Sequence, residues 1–149
     1  MKYGVREEEI KTIHEADFNM FKNAISEEAD GLISANWLEK KKTFIFVYYA
    51  GHGIMQNMTK VVCNTAARRA RIFYPLEANL RALGHKKGAY VMGVFDCCRA
   101  AFVDPHRGGG QQAQEEGEDD DDYRNCFLIF GCKPNSTVAA VSTVATEFF

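Results

Sequence analysis

The sequence predicts an α/β fold built around a mainly parallel β-sheet. Three short apolar runs, at 44–50, 90–95 and 126–130, are rich in the aromatic and β-branched residues that favour buried strands. Helical patterns separate the first two of these runs, as expected for strands that run parallel. A hydrophobic fraction of 46% and a charged fraction of 26% are typical of a soluble globular chain, so 149 residues predict one domain spanning 1–149.

The first long element is predicted to be an amphipathic helix. Ile10 to His14 precedes it and is interpreted as a brief strand, and Asp17 stands where an N-cap oxygen would accept orphan amide hydrogens. Apolar residues then recur at steps of three and four, which predicts one apolar stripe along a helix. The stripe consists of Phe18, Phe21, Ile25, Ala29, Leu32, Ile33 and Trp37.

The remaining elements follow from their composition. Phe44 to Ala50 has no polar alternation, which predicts a strand buried on both faces. Lys60 to Asn64 is interpreted as a short strand, and Pro75 to Leu83 as a helix with proline at or near its first position. Tyr90 to Phe95 and Cys126 to Phe130 are predicted to be the second and third main strands.

Charge and cysteine content exclude several classes of function. The basic clusters at 40–42 and 68–71 are small, separate and not interleaved with aromatic residues, so we expect no nucleic-acid partner. The longest apolar run has seven residues and no signal peptide is visible, which predicts a cytoplasmic protein without a membrane partner. Five irregularly spaced cysteines, an odd number, favour reduced thiols over a disulfide framework.

A polar segment at 108–122 is predicted to be a mobile linker because it has almost nothing to bury. Seven of the chain's 20 acidic residues lie at 115–122, so the rest carries 18 basic against 13 acidic residues and is mildly basic. Calcium binding by this acidic run is the alternative to a solvated linker. The linker is favoured, because consecutive aspartates lack the spaced, turn-forming pattern of a defined calcium loop.

A histidine and a cysteine follow two of the predicted strands. His52 comes two residues after the first buried strand, and Cys98 comes three residues after the second. Functional groups in a parallel sheet gather at the carboxyl ends of the strands, so the two side chains can meet if these strands are neighbours. Cysteine beside histidine is a nucleophile with its base.

The motifs around these residues resemble the active-site signatures of caspase-like cysteine peptidases, the C14 peptidases, in their metacaspase and paracaspase branch. The motifs are Tyr48-Tyr-Ala-Gly-His-Gly53 and Asp96-Cys-Cys-Arg99, and Phe130-Gly-Cys-Lys-Pro-Asn-Ser136 is similar to the start of the small-subunit part. The histidine precedes the cysteine by 46 positions, against roughly 50 in caspases. The resemblance covers most of the chain and implies a three-layer α/β/α sandwich. Its parts would be a large-subunit-like part at 1–104, an acidic linker at 105–124 and the start of the small-subunit-like part at 125–149.

The resemblance also implies roles for individual residues. Cys98 takes the place of the nucleophile and His52 that of the base, and the Gly53 and Cys98 amides take the place of the oxyanion hole. Asp96 takes the place of the residue that selects the side chain preceding the cleaved bond. Metacaspases and paracaspases share Asp-x-Cys and cut after basic residues, so we expect an endopeptidase that cleaves proteins or peptides after Arg or Lys. No organic cofactor and no catalytic metal are implied.

Comparison with the family also concerns the ends of the chain. Residues 1–16 contain no match to the family's first strand, and the chain stops at Phe149 soon after the small-subunit opening, so we expect a truncated catalytic domain. A missing strand would leave an unpaired sheet edge, which invites dimerisation. A catalytically inactive caspase-like interaction module is therefore the alternative function. For the active form we predict self-cleavage near Arg107 or Arg124, which flank the linker.

Three other cysteine arrangements have weaker interpretations. Cys63 and Arg69 have the Cys-x5-Arg spacing of tyrosine phosphatases, but the intervening loop lacks glycine, so a solvated basic loop is favoured. Cys97 is expected to pack inward rather than to form a strained disulfide with its neighbour. Cys126 and Cys132 are expected to be core residues rather than zinc ligands.

Overall fold

The structure, a computed structural model, describes residues 7–65, 72–101 and 125–134. The predicted linker at 105–124 with Arg107 and Arg124, the basic cluster at 68–71 and the C-terminal 135–149 lie outside the described residues. In the described part, no helix is long and apolar enough to cross a membrane.

The predicted N-terminal helix is confirmed as one helical run. It consists of α1 (Phe18–Phe21), a π-helical segment (Lys22–Ala29) and α2 (Asp30–Leu38). Asp17 is the N-cap, and its Oδ1 accepts a hydrogen bond of 2.8 Å from the Met20 N–H. The cap satisfies one of the amide hydrogens that a helix start leaves without a partner.

The predicted strand at Ile10 to His14 is wrong. The chain instead forms a 3₁₀ turn at Glu7–Glu9 and continues in irregular backbone. Lys11 Nζ contacts Glu28 of the helical run at 2.6 Å, so this segment is attached to a helix by its side chain and pairs with no described strand. A brief apolar stretch becomes a strand only where a neighbouring strand offers a ladder of backbone hydrogen bonds.

A parallel sheet of three strands forms the centre of the fold. Its strands are β1 (Thr43–Gly51), β5 (Ala89–Cys97) and β7 (Cys126–Phe130), in the order β1-β5-β7. These are the three main strands that the sequence predicts, and all described pairings between them are parallel. The α/β class is thereby confirmed.

A second, smaller sheet lies beyond the carboxyl end of β1. It contains β2 (Gly53–Gln56), β3 (Met58–Cys63), β4 (Ile72–Tyr74) and β6 (Ala100–Ala101), in the order β4-β3-β2-β6. β3 confirms the short strand predicted near 60–64, and α3 (Leu76–Gly84), with Pro75 at its N-cap position, confirms the predicted helix at 75–83. The strands β2, β4 and β6 were not predicted, because two to four residues carry too little periodicity to be recognised.

The core lies between the helices and one face of the parallel sheet. Ile25 and Ile33 of the helical run, Leu80 of α3 and Phe95 of β5 belong to one buried cluster. On β5, alternate residues from Ala89 onward are buried, which is the period-two pattern of a strand covered mainly on one side. This packing holds the carboxyl ends of β1 and β5 in a fixed relation.

The prediction that β1 is buried on both faces is wrong for the described residues. Phe44, Phe46 and Tyr48 are exposed to 65%, 56% and 59%, whereas the alternate residues Ile45 and Val47 pack against the core. All described helices cover the same face of the sheet. Uniform apolar composition indicates that both faces can be covered, but coverage depends on elements elsewhere in the chain.

Candidate active site

The register of the parallel sheet brings the two candidate catalytic residues to the same edge. β1 and β5 pair along their whole lengths, from Thr43 opposite Ala89 to Gly51 opposite Cys97. His52 directly follows Gly51 at the end of β1, and Cys98 directly follows Cys97 at the end of β5. Both residues therefore leave neighbouring strands at the same level. Neighbouring strands lie about 4.8 Å apart. The condition set by the sequence, that the two strands be adjacent, is therefore met.

His52 has a fixed backbone and an exposed side chain. Its carbonyl oxygen accepts two hydrogen bonds of 2.9 Å, one from the Val62 N–H on β3 and one from the Tyr49 hydroxyl on β1. Burial raises the pKa of Tyr49 to about 12, with smaller contributions from the Cys97 and Cys63 thiols, so the phenol remains a donor at neutral pH. The imidazole is thus presented to solvent from a tethered main chain.

The two adjacent cysteines have different environments. Cys97 is 2% exposed on the core side of β5, and burial raises the pKa of its thiol to about 11. Cys98 lies one residue beyond the strand and is partly exposed. The expectation that Cys97 packs inward is confirmed, and none of the five cysteines forms a disulfide. Cys98 is the more accessible of the two thiols.

The two motifs touch at Gly53. A β-carbon built on Gly53 would lie 2.7 Å from the carbonyl oxygen of Cys98 and 2.8 Å from Cys97 Sγ. Both distances are below any ordinary contact, so only glycine lets the backbone approach this closely. Gly51 has a different requirement, because its φ is +157° and a β-carbon there would lie 2.6 Å from the Tyr49 hydroxyl oxygen.

Asp96 lies on the open face of the sheet, opposite to the side on which Cys97 is buried. It is exposed, and its Oδ2 accepts a 3.3 Å hydrogen bond from the Tyr48 hydroxyl. Desolvation, followed by the charge of Asp96, raises the pKa of Tyr48. Gly131 is on the other side, where a β-carbon would be 3.6 Å from Asp96 Oδ1. The carboxylate therefore faces solvent between β1 and the turn that follows β7.

A buried polar cluster behind Cys98 was missed by sequence reasoning. Arg99 Nε donates a 3.0 Å hydrogen bond to Thr59 Oγ1, and its guanidinium lies 3.9 Å from the centre of the Phe130 ring. Glu77 on α3 is also buried there. A signal was present, because Arg99 belongs to the motif that contains Cys98, but its partners lie 40 and 22 positions away and cannot be identified by spacing.

The metal-ion alternatives concern Cys126, Cys132 and the acidic run. Within 7–65, 72–101 and 125–134, no group of three or more His, Cys, Asp or Glu residues is arranged to hold a metal ion. Cys126 is half-buried on β7, where burial raises its pKa, and Cys132 is buried in the turn beyond the strand. The acidic run considered for calcium lies outside the described residues.

Comparison with known proteins identifies the family. The family model of the caspase domain of C14 peptidases matches residues 12–147, which is nearly the whole chain. No curated protein and no solved structure matches the chain. The match includes both motifs and the three strands of the parallel sheet. The chain therefore belongs to the caspase-domain family of cysteine peptidases.

Proposed function

We propose that this chain is a cysteine endopeptidase that uses Cys98 as nucleophile and His52 as base and cleaves after Arg or Lys. The observation that carries the proposal is the β1–β5 register, in which the residues just before His52 and Cys98 are direct partners. Membership of a cysteine peptidase family supports the same chemistry. The partial exposure of Cys98 and the exposure of His52 leave both groups accessible to a peptide.

The proposed reaction is acyl transfer. The His52 imidazole takes the proton of the Cys98 thiol, and the thiolate attacks the carbonyl carbon of the scissile bond. The Gly53 and Cys98 N–H groups donate to the oxyanion, a role supported by the close packing of Gly53 against Cys98. The imidazolium then protonates the leaving amine. Water attacks the resulting thioester with His52 as base, which releases the acid and restores the thiol.

Asp96 is proposed to select a basic side chain before the cleaved bond. Its carboxylate is exposed and lies two residues before Cys98, between the Tyr48 hydroxyl and Gly131. A guanidinium or ammonium entering from the open face would form a charge-assisted hydrogen bond with it, whereas an acidic side chain would be repelled. Proteins or peptides with Arg or Lys at this position are therefore the proposed substrates.

The first experiment is covalent labelling with an arginyl acyloxymethyl ketone, with and without calcium. Labelling is expected for the unmodified chain and should vanish in Cys98→Ala, fall sharply in His52→Ala and persist in the matched control Cys97→Ala. Fluorogenic peptides ending in Arg, Lys or Asp then test the specificity. A preference for Asp would exclude the proposed role of Asp96.

The alternative function, a catalytically inactive caspase-like module, makes the opposite prediction. A folded chain would show no labelling at Cys98 and no hydrolysis of any of the three peptides, with or without calcium. Folding is checked independently by a cooperative thermal transition, so that an unfolded preparation is not mistaken for an inactive one.

A further inference from the structure

Arg99, the residue after Cys98, is a buried cation. It is 7% exposed, although arginine is almost never buried unless its charge is paired. Taking a guanidinium out of water is strongly unfavourable unless hydrogen bonds and an opposite charge compensate. The partners of Arg99 therefore matter for how the end of β5 is held.

The partners of Arg99 come from three separate elements. Thr59 of β3 is completely buried and accepts the 3.0 Å hydrogen bond from Nε. Glu77 of α3 is 4% exposed, and its Oε2 lies 3.9 Å from an Arg99 terminal nitrogen. Phe130 of β7 stacks under the guanidinium at 3.9 Å, within the range of a cation–π contact. One side chain thus connects the two-residue segment Cys98-Arg99, between β5 and β6, to both sheets and to a helix.

Glu77 is itself fixed from two sides. Its Oε2 accepts the Thr59 N–H at 2.8 Å, and its Oε1 accepts two hydrogen bonds from Arg81, at 2.9 and 3.1 Å. Arg81 is one turn further along α3. The carboxylate therefore anchors Thr59 and provides a negative charge facing Arg99. This defines the Arg99 cluster: Thr59, Glu77, Arg99 and Phe130.

The Arg99 cluster adjoins Cys98 on the buried side of the chain. Cys98 lies between buried Cys97 and buried Arg99, and its carbonyl is in contact with Gly53. Consecutive Cα atoms are held about 3.8 Å apart by the peptide bond, so the positions of Arg99 and the Cys98 backbone are directly linked. Arg99 is buried and donates to Thr59, so it is not presented to a peptide approaching the partly exposed Cys98 and the exposed His52.

We propose that Arg99, held by Thr59, Glu77 and Phe130, is a positioning residue that sets the location of the Cys98 thiol and amide. This proposal rests on the proposed function, since it concerns the same nucleophile. A purely structural role would lower stability and leave the reactivity of Cys98 in the folded protein unchanged. A positioning role changes the reactivity of the folded protein.

The test compares two buried threonines. Thr59→Val removes the acceptor of the Arg99 hydrogen bond while it keeps the volume of the side chain. Thr43→Val is the matched control, because Thr43 is 4% exposed and its Oγ1 accepts a 3.0 Å hydrogen bond from Asn36. Thr43 begins β1, eight residues before Gly51, which is about 26 Å along the strand from the site.

Two readouts are measured on both variants. The first is kcat and KM for an arginyl fluorogenic peptide. The second is the alkylation rate of Cys98 by iodoacetamide, followed by mass spectrometry of the peptide that contains Cys98. This small reagent needs no substrate pocket and no proteolytic activity. We expect Thr59→Val to lower kcat about tenfold with KM within about twofold, because a small misplacement of reacting atoms has a large effect on rate. The alkylation rate should change at least about threefold.

Each outcome decides the proposal. An unchanged kcat and alkylation rate in Thr59→Val overturns it, and so do equal losses in Thr59→Val and Thr43→Val, which would reflect general destabilisation. If the unmodified chain hydrolyses no peptide, the proposed function fails, and the alkylation rates alone decide the positioning role. If Thr59→Val does not fold, Phe130→Leu carries the same comparison, because it removes the ring beneath the guanidinium.

Discussion

Replacement of Gly53 by alanine tests the close packing of Gly53 against Cys97 and Cys98. The new methyl group would be placed 2.7 Å from the Cys98 carbonyl oxygen and 2.8 Å from Cys97 Sγ. The first neighbour is backbone and cannot rotate away. The second belongs to a side chain that is 2% exposed and has no space to turn into. The strand that begins at Gly53 must therefore move away from the Cys97 side chain and the Cys98 backbone.

The size of the effect follows from these distances. Ordinary van der Waals contact begins at 3.4 Å, so the two segments must separate by about 0.7 Å. A misplacement of about 1 Å can reduce a rate about 100-fold, and the loss of one oxyanion donor costs about 100- to 1000-fold. We therefore expect kcat to fall about 30- to 100-fold, which corresponds to about 2 to 3 kcal/mol in the activation barrier. Overpacking should also lower the free energy of unfolding by about 1 to 3 kcal/mol.

The assay measures hydrolysis of an arginyl fluorogenic peptide, together with urea unfolding to show that the variant is folded. Gly31→Ala is the matched control, because a β-carbon on Gly31 would have no neighbour within 4 Å and the residue lies in α2. That variant should keep its activity and gain about 0.5 to 1 kcal/mol in stability, since alanine favours the helix. A folded Gly53→Ala chain with kcat within about threefold of the unmodified protein would refute the argument that the proposed activity requires the close packing of Gly53 against Cys98.

Three further predictions concern neighbouring groups. The pKa of the Cys97 thiol has its ordinary value of 9.0 in the unfolded chain and is about 11 in the folded chain, so the folded state keeps the proton to higher pH. The free energy of unfolding should therefore fall as the pH rises from about 9 to about 11, and urea titrations should show a smaller fall in Cys97→Ala. Asp96→Asn should lower kcat/KM for arginyl peptides about 10- to 100-fold, because a charge-assisted hydrogen bond is lost, while peptides with a neutral residue at that position are unaffected. Tyr49→Phe removes one of the two hydrogen bonds to the His52 carbonyl and should lower stability by about 1 kcal/mol and kcat severalfold, whereas unchanged values in thermal unfolding and peptide hydrolysis would contradict that role.

The elements that the sequence predicts correctly are those with strong local signals. The Asp17 cap, the helical run that follows it and the three apolar runs of β1, β5 and β7 all appear where expected. Local backbone preference and side-chain periodicity are enough in these segments. The strand expected at Ile10 to His14 failed because strand formation needs a partner that lies elsewhere in the chain.

The sequence also predicted some features of the candidate site but not others. The sequence predicted that His52 and Cys98 each follow a strand, and it identified Asp96 two positions before the cysteine. It did not indicate that the Tyr48 hydroxyl lies beside Asp96 or that Tyr49 holds the His52 backbone. These contacts depend on the pairing of strands, and pairing is not visible in the local pattern of either strand.

The sequence by itself determined the fold class, the order of the main elements and the two motifs that mark this chain as a member of the caspase-domain family. Only the tertiary structure decided which face of β1 is covered and that Arg99 is buried against Thr59, Glu77 and Phe130. The physical reason is the separation along the sequence of the residues that interact. Secondary structure and motifs are specified by residues within a few positions of each other, whereas burial and the pairing of charges depend on side chains brought together from elements tens of positions apart.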